Sequence, residues 1–255
     1  MKKAIIALLI VVGGSFSANA QLNFSDSIVA MPWVSIQYGF NLTGGDLALR
    51  HGHFNHLGFF AGYKTGRNWV FGVDGSFMFG NDVTPNTSDM FAHLTDGVGA
   101  ITDQNGDQGV VVTASRGMNF NGNVGKIFPI FNSNPNSGLY ASLGAGWIAH
   151  KIRVETQDHV IPVIELDYRK GYDRLVQGVT TNQFLGYAFL SDQSFLKFYG
   201  GIYVQEGFTF ERRTIFFDQP DYEVPTTPRL DLQYGLRIGW MIPIYPRQPQ
   251  DFYFD

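Results

Sequence analysis

Between Leu230 and Ile244 every second residue is apolar. Leu230, Leu232, Tyr234, Leu236, Ile238, Trp240, Ile242 and Ile244 share one face, and Asp231, Gln233, Gly235, Arg237, Gly239, Met241 and Pro243 share the other. A period of two puts alternate side chains on opposite sides of an extended chain, so this run predicts a strand with one apolar and one polar face. Phe198, Gly200, Ile202, Val204, Phe208 and Phe210 repeat it against Lys197, Tyr199, Gly201, Tyr203, Gln205 and Thr209, with Glu206 as the one charge on the apolar side. The same alternation is clear over residues 34–43 and 69–80. It is weaker over 57–64, 118–128, 139–152 and 176–190. Eight strands are predicted, an even number.

The polar set is rich in glycine and the apolar set in bulky aromatics, within a chain that has 30 Gly and 23 Phe. In a soluble eight-stranded barrel the apolar set points inward and charge covers the outside. Glycine suits the crowded interior of a small barrel and large rings suit the lipid side, so these faces read as inverted. The connections agree. Thr65-Gly66-Arg67-Asn68, Ser191-Asp192-Gln193-Ser194 and residues 129–138 are short, and they alternate with long segments at 44–56, 81–116, 153–175 and 212–228. Short turns on one side and long loops on the other are the habit of outer-membrane barrels. The predicted fold is an eight-stranded antiparallel transmembrane β-barrel of the outer-membrane type, with long loops extracellular and both termini periplasmic.

Targeting fits this reading. Lys2 and Lys3, an apolar run over residues 4–12 and Ala18-Asn19-Ala20 before Gln21 form a secretory signal with a cleavage site. The expected division is a signal peptide at 1–20, a barrel at 21–245 and a periplasmic tail at 246–255. No later segment reaches the roughly 20 apolar residues of a membrane helix. With no cysteine, neither disulfides nor a lipid anchor on cysteine is available. The formal charge of −4, mixed in sign, gives no reason to expect a nucleic-acid partner.

Gly44-Gly45-Asp46-Leu47-Ala48, Asn68-Trp69-Val70-Phe71-Gly72-Val73-Asp74-Gly75, Lys170-Gly171-Tyr172-Asp173-Arg174-Leu175 and Ile242-Pro243-Ile244-Tyr245 with its aromatic tail resemble small outer-membrane barrels of the Bacteroidetes phylum. The resemblance implies the barrel fold and membership of a group that includes adhesins, scaffold proteins and accessory subunits of secretion or assembly machines.

Several residue groups carry possible chemistry. His51, His53 and His56, close to Asp46, have imidazoles that can ligate zinc or copper, although in an extended chain His56 points away from the other two. Asp103-Gln104-Asn105-Gly106-Asp107-Gln108-Gly109 looks like the start of a calcium loop, but its glycine falls at the seventh place instead of the sixth and Ala114 stands where a bidentate Glu is needed. Asp74 and Arg237 fall on the inward face near mid-depth and predict an interior charge pair or network. Ile161 and Ile164, in an apolar stretch of the third long loop, mark a partner surface or a flap over the mouth. Phe252, Tyr253 and Phe254 in the tail predict docking to a periplasmic partner.

No Gly-x-Ser-x-Gly elbow is present and no motif calls for a cofactor. The favoured function is therefore a non-catalytic accessory or scaffold subunit of an outer-membrane complex, in contact with outer-membrane lipid and other outer-membrane or periplasmic proteins. The alternative is a hydrolase or acyltransferase at the external rim, where His150 meets a Ser, Asp or Glu from neighbouring loops. A passive pore is disfavoured because eight strands leave no continuous channel.

Overall fold

The computed structural model describes residues 27–84, 87–97, 99–130, 134–157, 160–191 and 197–244. The strands are β1 (Met31–Gly45), β2 (Phe54–Lys64), β3 (Trp69–Gly80), the two-residue β4 (Ile101–Thr102), β5 (Gln108–Phe128), β6 (Gly138–Gln157), β7 (Val176–Phe189), β8 (Phe198–Glu211) and β9 (Arg229–Pro243). Apart from β4, each strand pairs antiparallel with its neighbour. β1 pairs with β9 and β3 with β5, which closes an eight-membered ring without an edge. Closure satisfies the backbone of every barrel strand internally, as a sheet in hydrocarbon requires.

The apolar faces point outward. Ile238 is 54% exposed and Leu236 63%, whereas Gln233 on the opposite face of the same strand is 1% exposed. This is the inverted arrangement that the alternation predicts. Inward glycines let the strands crowd: a Cβ on Gly146 would lie 1.9 Å from the Phe120 carbonyl oxygen, and one on Gly235 the same distance from that of Phe40.

At the short-turn end, Thr65 Oγ1 accepts from the Trp69 amide at 3.1 Å, and Asn68 takes φ 61°, a left-handed conformation that Asn tolerates. The bore above is filled by Trp33, Phe60, Tyr140, Phe184, Tyr199 and smaller apolar residues. Lys64, fully buried beneath them, donates to the Val29 carbonyl at 2.9 Å and to Asn136 Oδ1 at 2.8 Å. Asn136 in turn donates to the Ser27 carbonyl, so the 134–138 turn binds the N-terminal segment under the barrel.

At the opposite end β5 and β6 overshoot the ring. Residues 110–114 pair with 153–157 as a two-stranded ribbon beyond the wall, and β5 starts well before the strand expected at 118–128. The ribbon carries a lid with its own core of Val83, Met90, Phe91, Ile152, Val154, Ile161, Ile164 and Tyr172. Ile161 and Ile164 are 1% and 0% exposed, which corrects their reading as a partner surface. They meet residues some seventy positions earlier in the chain, and water is excluded from both sides. The tail residues Phe252, Tyr253 and Phe254 lie outside the described residues.

Candidate functional site

Beneath this lid the structure assembles a polar chain. A 3-10 turn at Asp46–Leu49 buries Leu47 against Phe54 and Met78, and the amides of Arg50 and His51 donate back to the Leu47 carbonyl. The next residues bridge to the start of the second long loop. Gly52 donates to the Asp82 carbonyl, and Thr84 to that of Arg50. His51 is thereby pinned over the barrel mouth.

There His51 Nδ1 lies 2.7 Å from Ser115 Oγ, and His51 Nε2 lies 3.2 Å from His150 Nδ1. His150 Nε2 lies 3.0 Å from Asp231 Oδ2, which also accepts from Thr209 Oγ1. None of Ser115, His51, His150 and Asp231 is more than 1% exposed. One assignment of protons satisfies the row. His150 donates Nε2–H to Asp231, His51 donates Nε2–H to His150, and Ser115 donates O–H to His51. Burial above all, with His150 beside it, holds His51 well below the usual imidazole value, so the His51 ring bonds as a neutral tautomer.

Charges fence this chain. Arg50 pairs with Glu211 at 2.7 Å, and Arg229 reaches Glu211 at 3.1 Å and Asp231 at 3.6 Å. Phe216, 1% exposed, has the guanidinium groups of Arg50 and Arg174 over its ring, 5.4 and 5.0 Å from its centre. Arg174 pairs with Asp218, and Arg213 holds both oxygens of Asp173 at 2.7 and 2.6 Å.

The three histidines do not form a metal site. His51 and His56 face the interior at different heights, while His53 is exposed and pairs with Asp82 at 3.0 Å. Among the described residues no group of three or more His, Asp or Glu side chains is placed to hold a metal ion. The chain is not extended between His51 and His53, so a parity argument fails there. Asp103 uses Oδ1 to accept from the amides of Asn105 and Asp107, which makes its segment a self-capped turn.

Deeper in the bore, Asp74 accepts from Asn121 at 3.1 Å and Asn123 at 2.6 Å, and the Arg237 guanidinium stacks 3.5 Å over Tyr203. Each has partners other than its expected mate, and the two share the wall of a cavity of about 20 Å³, room for one water. Between this layer and the lid, Ser76, Asn119, Gln205 and Thr180 link in series. Glu206, the outward charge, is held by Thr181 Oγ1 at 2.7 Å and Gln183 Nε2 at 2.9 Å on β7. Ser115, Thr209 and Asp231 are absent from the sequence-based candidates. The one signal for them is Asp231 itself, an inward carboxylate on β9 that needs a buried donor.

No family model matches the chain, and no curated protein is similar to it. Among solved structures it resembles Neisserial surface protein A at 11% identity and TM-score 0.40, with 82% of this chain and 98% of that one covered. It also resembles Ail, the attachment invasion locus protein of Yersinia pestis, in complex with the heparin analogue sucrose octasulfate, at 11% identity and TM-score 0.37, covering 84% and 99%. The outer membrane protein OprG of Pseudomonas aeruginosa stands at 10% and 0.37, covering 85% and 98%. The closed ring with its apolar exterior makes this chain an integral outer-membrane β-barrel.

Proposed function

We propose that the barrel is a non-catalytic accessory or scaffold subunit of an outer-membrane complex for secretion, assembly or transport. Its long loops are extracellular, its termini are periplasmic, and it is akin to the small outer-membrane barrels of the Bacteroidetes phylum. The observation that carries this reading is the outer side of the lid. The third and fourth long loops pack together, with Tyr168 and Phe217 rings 6.5 Å apart and the Phe217 amide bonded to the Gly171 carbonyl. Together they leave Val160, Val163, Tyr168, Ile215 and Tyr222 exposed. An ordered, apolar loop platform over a filled bore supports presentation to a protein and argues against a passive pore through the barrel. The tail at 246–255 supplies a second contact on the periplasmic side.

Purification in mild detergent tests the role. A stoichiometric partner lost from Val163→Asp/Tyr168→Ala, with the barrel still heat-modifiable on gels, supports it. A wild-type barrel that purifies alone, after cross-linking in cells as well, overturns it. An epitope inserted after Asn105 that antibody reaches on intact cells, with one after Gly66 that it does not reach, supports the orientation.

A second reading is favoured by one observation. Ser115, His51, His150 and Asp231 stand in the order nucleophile, base and orienting groups, which is the logic of a serine hydrolase with one extra imidazole. The lid covers Ser115, so a substrate enters only when the loops part. A phosphonate probe that labels wild type and not Ser115→Ala supports hydrolysis. No labelling in lipid or detergent rejects it.

A further inference from the structure

Outside the barrel, β5 marks both membrane interfaces. Its outward face reads Arg116, Met118, Phe120, Gly122, Val124 and Lys126, and the two cations stand ten positions apart. At a rise of about 3.3 Å per residue and a tilt of about 40°, that separation is about 25 Å along the membrane normal, the height of the apolar band in such barrels. Lys126 sits at the short-turn interface with its ammonium over the rings of Trp69 and Phe128, at 5.2 and 5.5 Å. Arg116 therefore lies at headgroup depth on the long-loop side.

The surroundings of the two cations differ. Lys126 faces Ala141 across the ladder, whereas Arg116 faces Lys151 directly. Arg153 follows two residues on, opposite Ala114 and on the same outward face. Like charges opposite one another on a sheet face are destabilising unless an anion lies between them. The local carboxylates are largely committed. Glu155 pairs with Arg153, and Asp173, which is 3.9 Å from Lys151, is gripped at both oxygens by Arg213. Arg116 is held in place by bonds to the carbonyls of Gly80 and Ser115, at 3.3 and 2.8 Å, and the side chains of Lys151 and Arg153 are about half exposed. Directly below lie exposed Met118, Phe120 and Trp147.

We infer that Arg116, Lys151 and Arg153 form a binding site for the phosphate of the phosphorylated glycolipid of the outer leaflet, with its acyl chains against Met118, Phe120 and Trp147. Assigning the leaflet rests on the orientation proposed above. The phosphate chemistry rests on the three cations at headgroup depth.

The test uses the full barrel in nanodiscs with titrated lipid A, the same lipid dephosphorylated, or phosphatidylglycerol, read by native mass spectrometry of the retained lipid. Wild type is expected to retain lipid A in preference to both others. Lys151→Gln/Arg153→Gln is expected to bind it about 25-fold more weakly, at roughly fivefold per cation. That variant leaves Arg116 and its backbone bonds in place, and heat-modifiability on gels confirms its fold. Equal retention by variant and wild type, or of the dephosphorylated lipid, overturns the site. Equal retention of phosphatidylglycerol overturns the choice of glycolipid. If antibody labelling places the long loops in the periplasm while phosphate-dependent retention persists, the orientation fails and the phosphate site stands.

Discussion

At the short-turn end Trp33, Phe60, Tyr140, Phe184 and Tyr199 fill the bore with rings 5.5 to 5.9 Å apart. At the long-loop end the same bore is filled by Ser115, His51, His150, Asp231 and Thr209, each tied to a named atom of the next. Both ends are equally buried, yet they are closed by different physics. The rings need volume and little direction, so neighbours substitute partly for a missing one. The polar row needs every partner, because a buried donor or acceptor left alone bears its full desolvation cost. The rings also belong to the barrel wall, while His51 comes from a loop. Damage at the short-turn end should therefore propagate to the whole barrel, and damage at the long-loop end should open the lid.

The largest effect that sharpens this contrast is expected from Trp33→Ala. Removing a fully buried indole from the plug should cost about 3 to 5 kcal/mol. The loss should appear as a lower urea midpoint for the whole barrel, with no separate loop transition. A midpoint within error of wild type would remove the plug from the account of stability.

The matching deletion at the other end is Ile164→Ala, within the lid core. It should cost about 2 to 4 kcal/mol, confined to the loops. Limited proteolysis should cut within 81–107 and 158–175 while the barrel stays heat-modifiable. Global unfolding with the same midpoint shift as Trp33→Ala would show that lid and wall are one cooperative unit.

Asp231→Asn keeps the shape of the polar row and removes its charge. His150 then loses a charge-assisted acceptor, and Thr209 keeps only a neutral one. A cost of about 1 to 3 kcal/mol is expected, again in the lid, read by hydrogen exchange of the 46–53 backbone. Protection unchanged there would mean that the row is not what fastens the first loop.

What could be read beforehand follows the same division. The wall was legible because a period of two is a local signal, and Asp74 and Arg237 follow from inward parity alone. Parity applied to Asn121 and Asn123 would also have found the partners of Asp74. The lid was not legible. Val110 and Val112 alternate too briefly to announce the overshoot of β5, and Ile161 and Ile164 sit in a segment without a period, against Met90 and Phe91 from a distant loop. The His51, His53 and His56 group misleads because parity assumes an extended chain, and the bend at His53, between the bridge at His51 and the start of β2, breaks that assumption.

The smallest expected effect concerns pH, and it divides the ends most cleanly because no titrating imidazole lies in the aromatic plug. His51 is surrounded by His150, Asp231, Arg50 and Arg229, and burial is the main cause of its depressed value. With the lid open the ring titrates near its ordinary value of about 6.5. With the lid closed it resists the proton. The open state therefore binds more protons below that value, and closure weakens as pH falls. Lid stability should be full above about pH 6.5 and fall by up to about 1.4 kcal/mol per pH unit below it, for as long as the closed-state ring stays neutral. Proteolysis of the loops should accelerate between pH 6.5 and 5, with the urea midpoint of the barrel moving less. Replacing His51 with Gln removes the titrating group and should flatten the acid branch of that profile. An acid branch of unchanged slope in His51→Gln would assign the pH response to other groups and leave the row without a part in fastening the lid.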